Sequence, residues 1–177
     1  MGMRKISKFT LNPALLFLLK LVGLYTLWHA FFPAAWLDGF LTRHLAGVGV
    51  GGLRLFGLDA HREATTLLVE GQPLLYIGDA CNGLDFFGLF ACFVLAFPAR
   101  PGAKLWFLPL GILTIHGLNA LRVVLLCLNY WYFRSSFAFN HKYTFVVIVY
   151  GAMLLLWMWW AKKFAPAAGV AARAGHA

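Results

Sequence analysis

Three side chains in this sequence of 177 residues could share one piece of chemistry: the thiol of Cys81, the guanidinium of Arg122 and the imidazole of His141. The thiolate is the nucleophilic form of cysteine, and a nearby cation increases its share near neutral pH. Imidazole can take up the thiol proton and later hand it to a leaving amine. Arginine stays charged and carries rigidly held donors, which suit the oxyanion of a tetrahedral intermediate. Together the three would serve acyl transfer. Asn82 and Asn119 are supporting candidates, as extra donors or as the group that fixes the histidine tautomer. Each also has a plainer role: a cysteine packs as a small hydrophobe, Arg122 can anchor a helix end, and His141 can be a loop residue beside Lys142.

What could assemble them is a bundle in lipid. The chain is 62% hydrophobic and 12% charged, against roughly 45–50% apolar residues in a soluble domain. Four apolar runs read as spans: 11–32, 81–97, 105–133 and 143–161, each near the roughly 20 residues a bilayer needs. Between the first two, residues 36–58 read as an outer amphipathic helical segment. Residues 64–69 and 74–77 read as short extended pieces joined by the turn Glu70-Gly71-Gln72-Pro73, a strand-like hairpin that leads to Cys81. The expected class is therefore all-α integral membrane, with about four transmembrane helices plus the amphipathic segment and the hairpin. The first run is too long for a signal peptide and ends in a poor cleavage site, so it reads as an uncleaved helix. Lys20 within it can snorkel. Residues 1–163 read as a single transmembrane domain and 164–177 as a disordered cytoplasmic tail.

Charge sets the orientation. With the N-terminus inside, the inner side holds eight of the fifteen Lys and Arg residues, crowded into the two ends and the loop Pro98–Lys104; six lie outside, several scattered, and Lys20 is the remainder. That places the chain N-in and C-in in the cytoplasmic membrane. Measured along ideal helices from the inner charges, Cys81 lies about 28 Å from Arg100, Arg122 about 27 Å from Lys104 and His141 about 31 Å from Lys162. All three reach the outer interface of a hydrocarbon core of about 30 Å.

The net charge of +9 is spent on these topology marks, so no nucleic-acid partner is expected. Three cysteines make neither a disulfide framework nor a metal cluster. Cys92 and Cys127 read as packing residues, with a Cys81–Cys127 disulfide as an alternative. All six acids lie between positions 38 and 85; Asp79 and Asp85 pair with Arg122 or face water. His116, Asn119 and Arg122 share a helix face, and His116 sits deeper, where a structural hydrogen bond is expected. Trp157-Met158-Trp159-Trp160 reads as an interfacial belt.

Ala80-Cys81-Asn82-Gly83-Leu84, then Asn119-Ala120-Leu121-Arg122, then His141 on the next outer loop resemble the exosortase/archaeosortase family of membrane cysteine transpeptidases, most closely its small members. The resemblance covers about residues 60–160. It implies Cys81 as nucleophile, Arg122 as oxyanion stabiliser and His141 as general base and acid, with no cofactor and no metal. It further implies substrates among exported proteins that end in a sorting motif, a transmembrane helix and a basic cluster, cleaved at the motif and passed to a surface acceptor. Asn82 and Asp85 stand where many members carry Ser and Arg. Two other readings compete: a non-catalytic membrane scaffold or assembly partner of a surface-export system, and a haem or quinone protein using His29, His44, His116 or His141. Paired aspartates for intramembrane proteolysis are disfavoured, because Asp79 and Asp85 share one short segment.

Overall fold

The computed structural model describes residues 12–31, 35–78 and 81–164. The expectations for the basic N-terminus, for Asp79 and for positions 165–177 of the tail lie outside those residues.

The chain is helical apart from one small sheet, as its composition demands. Helix α1 (Pro13–Phe31) opens at Asn12, whose Oδ1 accepts the Ala14 N–H at 2.9 Å, and it packs along α3. Helix α2 (Ala35–Leu55) is the expected amphipathic segment. Its buried positions Leu41, Thr42, Leu45, Ala46, Val50 and Leu53 recur at helical spacing, which makes one apolar face. That face lies along α4 and beneath the sheet. Contact is close because a Cβ at Gly52 would meet Val124 at 2.6 Å and one at Gly49 would meet Leu67 at 2.6 Å. Small residues at a helix crossing allow this approach.

The hairpin is a three-stranded antiparallel meander, β1 (Ala60–Glu63), β2 (Thr66–Val69) and β3 (Gln72–Tyr76). The sequence reading missed β1, whose polar Ala-His-Arg-Glu shows three exposed side chains and no apolar alternation. The β2–β3 turn is Glu70-Gly71 with φ of 54° and 75°, the positive pair that a two-residue hairpin favours. Leu67 and Val69 bury themselves completely against α2 and α4.

The span expected over 81–97 is narrower than its apolar run. Helix α3 (Leu84–Ala96) has 13 residues, about 20 Å of rise. It starts late because Gly83 has φ 85° and Asn82 Oδ1 accepts the Leu84 N–H at 2.9 Å. It stops before the prolines at 98 and 101. Helix α4 (Pro101–Tyr132) has 32 residues, about 48 Å, and so outruns a core of about 30 Å by roughly 18 Å. The sheet packs on the C-terminal end of this helix, around Val123, Cys127, Tyr130 and Trp131. The last helical stretch, Arg134–Phe164, likewise starts before the expected span. It comprises a 3₁₀ turn (Arg134–Ser136), one α turn α5 (Phe137–Phe139), a π-helical turn (Asn140–Thr144) and α6 (Phe145–Phe164). Among the described residues α1, α4 and this stretch are long and apolar enough to cross a membrane, with α3 as a shorter apolar helix between them. The all-α membrane class stands.

Candidate active site

Cys81 sits on the turn between β3 and α3, its N–H bonded to the Gly78 C=O at 2.9 Å. Three polar contacts hold this turn. Asn119, fully buried on α4, donates from Nδ2 to the Cys81 carbonyl at 2.7 Å. Asn82, 2% exposed, donates from Nδ2 to Asp38 Oδ1 at 2.7 Å while its Oδ1 caps α3. Gly83 passes so close to Asn119 that a Cβ there would lie 3.1 Å from Nδ2. Both asparagines thus act on the backbone around the thiol. Neither bonds to His141, so the tautomer-fixing role that the sequence left open falls to neither.

His141 comes from the π-helical turn, a widened turn that often marks functional sites. A polar chain fastens that turn to α4: Asn129 Nδ2 donates to Ser136 Oγ at 2.8 Å, Asn140 Nδ2 to Asn129 Oδ1 at 3.3 Å, and Thr144 Oγ1 to Asn140 Oδ1 at 2.9 Å. The imidazole stacks on Phe137 at 5.7 Å between centroids. Its Nε2 lies 3.9 Å from Cys81 Sγ, a long contact of the kind that tightens when substrate arrives.

Arg122 is 7% exposed. Its Nη1 reaches Asn119 Oδ1 at 3.4 Å, and its Nε has no partner among the described residues. A buried guanidinium with donors to spare favours an anionic guest. Cys81, Arg122 and His141 line one recess of about 20 Å³, bordered by Ile77, Val123 and Leu126, room for about one water molecule. A thiol, an imidazole and a guanidinium around a shared small space can perform acyl transfer through a covalent thioester.

A model of the transmembrane exosortases matches residues 5–160. The chain belongs to the transmembrane exosortase family. No curated protein and no solved structure matches it. Exosortases are membrane transpeptidases, and this one has that general role.

Other parts of this exosortase were only partly legible beforehand. Asp38 went unnoticed as a site residue, since it stood among scattered charges of α2. The Asn129, Ser136, Asn140 and Thr144 chain also escaped, because its members matter only once α4 and the π turn are side by side. His116 was expected to make a structural hydrogen bond; instead it stacks on His44 at 5.2 Å, and its Nδ1 is buried without a partner among the described residues. With their rings in contact, these two leave no space for a flat cofactor between them. The three cysteines are free thiols, Cys127 fully buried and Cys92 4% exposed, so the disulfide alternative falls and packing remains. Asp85 is exposed, facing outward rather than Arg122.

Proposed function

We propose that this exosortase is a cysteine transpeptidase of the cytoplasmic membrane, with its site on the extracytoplasmic side. It cleaves exported proteins that end in a sorting motif, a transmembrane helix and a basic cluster, and transfers the product to a surface acceptor. The observation that carries the reading is the shared recess: three chemically complementary groups from three separate elements, with thiol and imidazole 3.9 Å apart.

In this reading His141 Nε2 takes the Cys81 proton and the thiolate attacks the scissile carbonyl carbon. The C–S bond forms and the carbonyl oxygen becomes an oxyanion beside Arg122. Collapse breaks the C–N bond, and the leaving amine takes the proton from His141. An acceptor nucleophile then gives His141 a proton and attacks the thioester, a second oxyanion forms beside Arg122, and its collapse breaks the C–S bond, the Cys81 sulfur taking the proton back from His141. Asn119 and Asn82 hold the nucleophile's turn throughout. Membership of the family supports the transpeptidase class, and the charge asymmetry supports the orientation.

The test is processing in cells. Cys81→Ala abolishes removal of the C-terminal helix from the substrate and blocks recovery of a thioester-linked peptide on the enzyme by mass spectrometry. Arg122→Ala slows processing by about 10²–10³-fold and His141→Ala by about 10²–10⁴-fold. Normal processing by the Cys81→Ala protein would sink the proposal and favour a scaffold.

A further inference from the structure

One edge of the small sheet leads to the nucleophile. β3 ends the strand order β1-β2-β3, so it pairs with β2 on one side and with no strand among the described residues on the other. The Ile77 N–H donates to the Thr65 carbonyl at 3.0 Å, and Thr66 and Tyr76 form the adjacent pair. Peptide groups alternate sides along an antiparallel ladder, so the Tyr76 N–H and C=O point away from β2. An edge in this state is a template for another strand.

The free edge faces a channel whose far wall is the end of α4. Beside Gln72 and Leu74 the wall is Tyr130, Trp131 and Arg134, around a groove of about 380 Å³, within the range of small-ligand sites. Farther along the strand, Leu75 to Ile77 border the recess that holds Cys81, Arg122 and His141. Along β3 the groove is lined by Gln72, Pro73 and Leu74 and the recess by Leu75, Tyr76 and Ile77, so the two spaces succeed one another in chain order.

We propose that this channel binds the substrate segment just before the scissile bond, added to β3 as a fourth, parallel strand that delivers its carbonyl to Cys81. This rests on the transpeptidase reading above. An extended peptide is the occupant because β3 offers an outward backbone donor and acceptor at Tyr76, polar groups stand at Gln72 and Arg134, and the same strand lines the groove first and the recess next. The parallel direction follows from the substrate's plan: the chain after the bond must descend along the spans, so the chain before it extends toward Gln72. Main-chain bonds would supply affinity, and alternate side chains entering the groove would supply selectivity.

The probe is a reporter fused to the C-terminal segment of an exported protein from the same cell that loses its terminal helix. In the Cys81→Ala protein, a photo-crosslinking residue in place of Gln72 captures reporter residues just before the cleaved bond; one in place of His61, on the opposite edge, does not. Tyr76→Pro removes the outward N–H at a position where an edge strand tolerates proline and raises the reporter KM by about tenfold, with alkylation of Cys81 by iodoacetamide unchanged. Equal capture from both edges, or capture only of the terminal helix, overturns the proposal, as does a wild-type KM in Tyr76→Pro. Should Tyr76→Pro fail to accumulate, the crosslinks alone decide. Capture is read on unprocessed reporter, so it stands or falls separately from catalysis by Cys81.

Discussion

Asp38 is the residue whose importance was least visible and whose test is cleanest. Its carboxylate accepts from Asn82 at 2.7 Å, and Asn82 in turn fixes the start of α3 beside Cys81. Removing the acceptor leaves a buried amide donor unpaired, at a cost of about 1–3 kcal/mol. Asp38→Ala is therefore expected to lower kcat about tenfold or more, while Asp38→Asn, which keeps an acceptor oxygen, recovers most of it. Equal loss in the two variants, measured by reporter processing, would remove Asp38 from the positioning of the thiol. Cys81, Arg122 and His141 could be singled out together from sequence because all three fell at one depth, and the structure brings them to one recess. Asp38 could not, since its partner lies 44 positions away and only the packing of α2 against the turn brings them together.

At the scale of elements, the π turn fixes where His141 points. Its polar links to α4 run through Asn140, which both donates to Asn129 and accepts from Thr144. Asn140→Ala removes both links at a half-buried site. We expect processing to fall about tenfold, because bonds of this kind are each worth about 1 kcal/mol and the imidazole loses its fixed placement; the midpoint of thermal unfolding of the purified protein should fall by about 4–8 °C, as about 2 kcal/mol implies. The spans α1 and α4 and the amphipathic α2 were legible because apolar length and helical spacing are read directly from residues. α3 was overextended because its apolar run continues through Cys81, whereas a left-handed glycine and an asparagine cap decide where the helix begins. β1 was missed because a polar edge strand has no apolar pattern to read.

At the scale of the molecule, the sheet rests on the C-terminal end of the long helix α4, and the candidate site lies beside it. With the proposed orientation, a membrane-impermeant maleimide added to intact cells (spheroplasts where an outer envelope intervenes) labels half-buried Cys81 and spares Cys92 and Cys127, which are 4% and 0% exposed. Labelling only after the membrane is permeabilised would reverse the topology. The recess itself carries one more consequence. Its roughly 20 Å³ admit about one water, so in the proposed cycle the thioester forms in a narrow space that few solvent molecules share, open on the side from which half-buried Cys81 is reached. Competition between water and acceptor is then decided by which of them enters that space. Enclosure, more than any reactivity of the sulfur, would set the ratio of transfer to hydrolysis.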